Sequence, residues 1–546
     1  MTDTHGVVRH LGGEAGHRSF FGGAHSRVRL ILLGLCITAG LVLTPLLGWV
    51  GVAAPAAVAA VVLLLTAQTH RGSILERRRR RARWRDRRRT GTDRFVPFDD
   101  DEWNRLHDAL RAARRKQRPP IASAIAAMRG NPDGADGMGW LQHQPGLPGV
   151  AWHHPVGERP YLSVAFAVSG QLRGVESTAV LTRAATSWGA FLAGRAGTAS
   201  LVGSVQTLTR VLPPETARQQ HWVSLALDPD ASVEEQRSYA EVIQATSADA
   251  MVQRHYIVVT WPLTAAFVDT AGKYGAGRDG WRALMAAEID AVQHGLADAH
   301  LGQVTALTAR QVAALMLHQQ DPHRLIDAVR HVDPLVTGVE SRDEFSAHVV
   351  TTTDAATGLA GEWWHRTAAI RADAMAVAPR TQLWLLDLLI GRELTFIRTV
   401  SFHIHLVPAI EAKAAARRDV VRDLSDQAAD QARGRLGNED STVAVTAAQR
   451  RRADLASGSH HHGVEWIAYV TVTAPSRDGL AVTCRQLADV CSSELGIDRL
   501  EWQDSYQSAG SGTTWPIGRG LAPARSSFAS RLYGGLAGRS EQEALA

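Results

Sequence analysis

Leu30–Thr69 reads LILLGLCITAGLVLTPLLGWVGVAAPAAVAAVVLLLTAQT, forty residues without one charged side chain. Arg71, Arg77, Arg78, Arg79, Arg80, Arg81, Arg83, Arg85, Arg87, Arg88 and Arg89 then arrive within nineteen positions. A hydrocarbon layer about 30 Å thick takes roughly 20 apolar residues as helix, each rising about 1.5 Å. The stretch is twice that length. It predicts two spans, near Leu30–Leu47 and Val50–Ala67, with a tight turn at Gly48, Trp49 and Gly51. Trp49 suits a membrane interface. Pro45 and Pro55 flank the turn, where helix ends tolerate proline.

The flanks set an orientation. Eleven arginines stand against Glu76 and Asp86, a net of +9. Such a block is held on the cytoplasmic side. Two spans return the chain to its starting side, so the arm carrying Arg9, Arg18, Arg27 and Arg29 is also cytoplasmic. The expected location is the plasma membrane, multi-pass with two spans, both termini cytoplasmic. A cleaved signal peptide ending near Ala53–Ala56 would send the +9 block across the bilayer and is set aside. Arg77, Arg78, Arg79, Arg80, Arg81, Arg83, Arg85, Arg87, Arg88 and Arg89 are expected to lie on anionic lipid headgroups. A topology signal is the plainer alternative, and contact with DNA a third.

The 546 residues carry a net charge of +5; without the +9 block the rest sums to −4. By charge the body is not a nucleic-acid-binding surface, and nucleic acid is expected to be met only indirectly. Cys36 falls in the first apolar helix. Cys484 and Cys491 are seven apart, about 10 Å along a helix and beyond disulfide reach.

Along the chain, residues 1–27 read as a flexible tail, 28–67 as the hairpin, 68–120 as a basic helical arm and 121–160 as a Gly/Pro-rich linker. Alternating strands at Tyr161–Ser169, Ser200–Leu212 and Gln253–Trp261, with helices between them, predict a first α+β domain over 161–270. Residues 271–365 read as mainly helical. Strands near Arg366–Ala378, Thr395–Val407 and His462–Thr473 predict a second α+β domain over 366–510, and 511–546 reads as a weakly ordered tail. The fold class is therefore α+β: a transmembrane helical hairpin followed by two ferredoxin-like α+β units in the cytoplasm.

Several patterns touch on chemistry. Gly275-Ala-Gly277-Arg-Asp-Gly280 matches GxGxxG, but about thirteen residues separate it from the preceding strand end at Trp261. A dinucleotide cradle needs the glycines at the strand end itself, so a linker is the better reading. No GxxxxGK[ST] occurs, which argues against an intrinsic P-loop ATPase. His460–His462 reads as a solvated turn. His403 and His405 share one strand face without a third ligand nearby in sequence. Trp363, Trp364 and Trp384 read as core or interface residues rather than a base-stacking platform. No catalytic, cofactor-binding or metal-binding residue is assigned, and no cofactor is expected.

A basic N-terminal arm, an apolar hairpin, an arginine-rich arm and a long α+β region without an ATPase motif resemble an actinobacterial membrane component of type IV secretion (conjugation) systems. In that family a PrgI-like hairpin is joined to a region resembling the non-ATPase N-terminal part of the conjugation ATPase. Ser187-Trp188-Gly189-Ala190-Phe191-Leu192-Ala193, the Leu208–Pro214 strand end, the Leu227–Val233 turn and the His462–Pro475 strand carry the likeness. The resemblance implies a non-enzymatic scaffold that anchors or regulates a separate secretion ATPase. Its implied partners are membrane lipid, that ATPase, other membrane subunits and further copies of itself. The type VII secretion subunit EccE is similar in its two spans and large soluble domain. A membrane-tethered enzyme of unrecognised mechanism is the remaining alternative.

Overall fold

The computed structural model describes residues 9–11, 26–66, 74–155, 158–170, 176–214, 226, 228, 230–247, 250–324, 326, 329–353, 360–371, 375, 378–380, 383–390, 394–413, 462–497 and 499–520. After a short strand β1 (Arg9–Leu11) come two antiparallel helices, α1 (Ser26–Leu47) and α2 (Trp49–Thr66). Gly48 turns the chain between them at φ +55°, a conformation that is free of cost only without a Cβ.

This hairpin corrects the membrane reading. Among the described residues no helix is long and apolar enough to cross a membrane. The transmembrane hairpin, the two-span plasma-membrane location and the cytoplasmic placement of both termini fall with that finding.

The chain continues through α3 (Ile74–Thr90), β2 (Arg94–Pro97), α4 (Asp100–Ala112), α5 (Arg118–Ala127), β3 (Met128–Arg129), β4 (Met138–Gln142), β5 (Val150–His153) and β6 (Tyr161–Val168). Then follow α6 (Thr178–Arg195), β7 (Ser204–Leu212), α7 (Val233–Ser247), β8 (Val252–Pro262), α8 (Ala265–Gly272), α9 (Gly277–Asp298), β9 (Val304–Ala306) and α10 (Ala309–Gln320). The last part holds β10 (Ser341–Asp343), β11 (His348–Thr353), β12 (Ala360–Ile370), β13 (Ala378–Arg380), α11 (Leu386–Ile390), β14 (Ile397–Val407), β15 (Gly463–Ala474), α12 (Arg477–Ser493), β16 (Glu501–Trp502) and α13 (Gln507–Gly512).

Local chemistry explains many boundaries. Asp99 caps α4 through the Glu102 amide, and Ser476 caps α12 through Gly479. Ser232 and Glu235 cap α7 reciprocally, and Thr308 with Gln311 forms a full capping box on α10. β-Branched and aromatic residues fill β8 (VQRHYIVVTWP) and β14 (IRTVSFHIHLV), as a half-buried pleated surface favours.

The strands do not form two separate units. One sheet runs β3-β2-β10-β11-β12-β15-β14-β7-β8-β6-β5-β4, with β9 and β16 attached to β6 and β12. Its centre is the antiparallel ladder between β7 and β14, from Ser204↔His405 to Val211↔Arg398. Seven strands of the path lie on the β14 side of that ladder and five on the β7 side. The two ferredoxin-like units are thus replaced by a single mixed α/β body, because β7 and β14 leave no free edge to separate them. The minor pair β1–β13 stands apart.

The sheet must also curl. Twelve strands at about 4.8 Å spacing would span about 53 Å if flat. Yet β3 and β4, at opposite ends of the path, are joined by only residues 130–137, which reach about 30 Å when fully extended. The curled sheet wraps α10 and the segment Gln507–Ile517, both almost wholly buried. Strand residues alternate accordingly. Val205 faces the cluster under α6 and α9, while Leu208 and Leu212 face inward with Val312, Met316, Trp515 and Ile517. Val400, Val470 and Val472 face outward onto α12. The 121–160 stretch, expected to be a poorly packed linker, supplies β3, β4 and β5, and the first ten residues of the expected weak tail lie in the core or against it.

Candidate functional site

Two surfaces and one interior carry the features that bear on function. The first surface is the α1–α2 hairpin. Leu35, Ile37, Leu41, Leu46, Val50, Val58 and Leu64 are all exposed, and Trp49 is 86% exposed at the start of α2. The hairpin's own seam is close: Gly51 and Pro55 are buried in it, and a Cβ on Gly51 would come within 2.7 Å of the Thr44 amide nitrogen.

The second surface is α3. Arg78, Arg81, Arg83, Arg85, Arg88 and Arg89 are exposed on it, while Arg77 and Arg80 are half-buried. Arg79 lies in the same helix. Arg88 stacks over Trp84 at 5.0 Å. Arg87 has a different role. Its guanidinium pairs with Asp343 at 2.5 Å and Asp133 at 2.9 Å. It also donates to the carbonyls of Thr92 and Ser505 and lies 4.1 Å over the Tyr506 ring. Ser508 Oγ lies 2.8 Å from Asp343 and 3.0 Å from Asp133, with one proton to share between the two carboxylates, and Arg129 pairs with Asp133 from the other side.

This cluster ties the basic helix, the Gly/Pro-rich loop, β10 and the C-terminal segment together. Burial pulls the Arg87 pKa down, but Asp343 and Asp133 more than offset it, and the group stays above its ordinary value. Burial pushes Asp343 up to about 6 despite the attraction of Arg87. Both values rise, which favours the charged arginine and disfavours the charged carboxylate, and the geometry identifies the state near neutral pH as an ion pair held against its own desolvation.

The interior is polar where the sheet faces the C-terminal segment. Gln206 Nε2 donates to the Trp515 carbonyl at 2.9 Å, and its Oε1 accepts from the Gly518 amide at 2.8 Å. His403 bonds the Thr513 carbonyl at 2.8 Å, Gln319 donates to the Thr514 carbonyl at 2.8 Å, and Gln507 accepts from the Thr367 amide at 2.8 Å. A hydroxyl chain runs Thr367–Thr471–Thr514 at 2.8 and 2.9 Å. Arg210 donates to Thr399 Oγ1 at 2.9 Å and to the His318 carbonyl at 3.2 Å. An irregular backbone can be buried only if its amides and carbonyls find partners, and these side chains supply them. Gly134 and Gly512 meet back to back: a Cβ on Gly134, which sits at φ +93°, would lie 2.8 Å from the Gly512 Cα.

Burial lowers the histidines of this interior. His153, His318 and His365 fall to about 3 and His403 to about 4. They are neutral at physiological pH and serve as fixed hydrogen-bonding groups. Ser508 touches two carboxylates, and the polar side chains of this interior hold the backbone of the C-terminal segment.

The sequence patterns settle as follows. GxGxxG spans the end of the turn after α8 and the first residues of α9, with a helix rather than a strand before it. His403 is buried against Thr513, whereas His405 on the same face is exposed, so the two share no site. His462 Nδ1 accepts from the Ala409 amide; His460 and His461 lie outside the described residues. Trp363 joins the inner cluster and Trp364 the outer one with Trp384. Cys484 and Cys491 are free and buried, and burial pushes their thiols up to about 11 and about 12. Residues 414–461 lie outside the described residues. Among the described residues no group of three metal-ligating side chains converges. Sequence reasoning named Arg87 only as one of the lipid-facing arginines and missed Asp133, Asp343, Gln206, Arg210 and the segment 507–517. The available signal was the recurrence of polar residues at alternate positions of strands β7, β14 and β15. No protein-family model and no curated protein matches this chain.

Proposed function

We propose that the chain is a non-catalytic scaffold subunit of a type IV-like secretion or conjugation machine, and that it docks or regulates a separate secretion ATPase. The observation that carries this reading is the α1–α2 hairpin, whose large apolar side chains stand in solvent along both helices. Monomeric proteins rarely expose contiguous apolar surface beyond a few hundred Å², and larger patches mark interaction sites. The body behind the hairpin supports the same role. Many of its interior polar groups hold its own C-terminal segment, and the histidines His153, His318, His365 and His403 are neutral. The machine type rests on the resemblance carried by residues 187–193, 208–214, 227–233 and 462–475.

The test is co-expression of the full chain with the candidate secretion ATPase. The wild-type chain is expected to co-purify with the ATPase, and a triple variant Leu41→Glu, Leu46→Glu, Val58→Glu to lose it while keeping its circular dichroism spectrum. Nucleotide turnover by the purified chain alone would overturn the reading.

A further inference from the structure

A small cavity of about 10 Å³ lies inside the curled sheet, bounded by the sheet, α10 and the C-terminal segment. Arg210, Gln319, His348, Thr399 and Ser511 are on its wall. Two polar atoms there, His348 Nε2 and Gln319 Oε1, are buried and find no hydrogen-bond partner among the described residues. Leaving a buried polar group unpaired costs about 1–3 kcal/mol, so two on one wall call for a ligand.

The hydrogen-bond directions define its chemistry. Ser511 Oγ gives its proton to the Gln507 carbonyl at 3.0 Å. It can then only accept from His348 Nδ1, 3.3 Å away, so the proton of the neutral ring sits on Nδ1 and Nε2 presents a lone pair. Burial and the neighbouring His365 and Arg87 hold His348 well below its ordinary pKa, which keeps the ring neutral. Gln319 Nε2 is committed to the Thr514 carbonyl, so its Oε1 is a second bare acceptor. Thr399 Oγ1 accepts from Arg210, which leaves its own proton to give.

We propose that this cavity is a binding site for one ordered water. The water donates one hydrogen to His348 Nε2 and the other to Gln319 Oε1, and accepts from Thr399. The size fits, since one water needs roughly 10–15 Å³ of such volume and two to four polar partners. A metal cation does not fit: the guanidinium of Arg210 lines the same wall, and two acceptors are fewer than the four ligands zinc normally takes. The water links β11 and β14 of one half of the sheet with α10, next to the strand of the other half that carries Arg210.

A crystal structure of the full chain that resolves ordered waters tests this. The expected result is one peak within about 2.6–3.2 Å of both His348 Nε2 and Gln319 Oε1. In Gln319→Met, which removes one acceptor at nearly constant volume, the peak is lost. An empty cavity in the wild type, or an unchanged peak in the variant, overturns the proposal. Should Gln319→Met fail to fold, the wild-type density decides alone.

Discussion

Arg87 and Arg88 are neighbours in one arginine block, yet substitution at the two positions should differ sharply. Arg87→Met removes the cation between Asp343 and Asp133, whose side chains are 0% and 7% exposed. Removing one partner of a buried pair typically costs about 3–5 kcal/mol, because the remaining charge stays desolvated. Arg88→Met removes an exposed charge, for which about 0–1 kcal/mol is expected. The assay is urea unfolding followed by tryptophan fluorescence, reading the change in midpoint at constant slope. The pH dependence is specific. Asp343 already titrates near 6 with Arg87 present. Without Arg87 its pKa rises further, and protonation removes the stranded charge. The deficit of Arg87→Met relative to wild type should therefore be largest near pH 7.5 and shrink toward pH 5. Adding Asp343→Asn should restore part of the loss. If Arg87→Met and Arg88→Met differ by less than about 0.5 kcal/mol, below what even a typical single hydrogen bond contributes, the buried latch is refuted.

Acid should unfold the body from the inside. His153, His318, His365 and His403 have folded pKa values of about 3 to 4, below their ordinary 6.5, so they contribute stability above pH 6.5 that is lost as pH falls. At pH 5.5 each costs about 1.4 kcal/mol, roughly 5–6 in all, of which protonation of Asp343 returns about 1. A urea midpoint that stays flat between pH 7 and 5.5 would contradict this. Trp515→Ala should cost about 3–5 kcal/mol by opening a cavity between β8, α10 and the C-terminal segment, and the denaturant midpoint reads it. Gly134→Ala should cost about 1–3 kcal/mol, since φ +93° and the Gly512 backbone both exclude a Cβ; an unchanged midpoint would show that the two loops do not meet.

Much of the secondary structure was legible. β6, β7, β8, β14 and β15 announce themselves by β-branched residues, and Thr308 and Ser232 mark helix starts by their capping partners. The assembly of those strands was not. The β7–β14 ladder joins residues nearly two hundred apart, and nothing local distinguishes an edge that pairs from one that does not. The polar faces of the strands could not be placed from sequence for a physical reason. Thr399, Ser401 and His403 recur at every second position, as do Thr471 and Thr473, the pattern of a solvated face, but here they line the interior with Gln206 and Arg210. Their partner, Gln507–Ile517, reads as loop because it is rich in Gly, Ser and Thr. It is core because those side chains satisfy its backbone. Arg87 could not be singled out among eleven arginines, since its distinction lies in Asp133 and Asp343, far along the chain. The length of the apolar stretch predicted membrane spans, a reading that the described helices do not support.

The most direct test of the scaffold account is a photo-crosslinking residue placed at Leu46, at the exposed tip of the hairpin, in cells that express the whole secretion machine. The account predicts that illumination captures the secretion ATPase or another protein subunit of the machine, and that a crosslinker at buried Leu208 captures neither. Capture of lipid alone at Leu46, or of no partner at all, would contradict it.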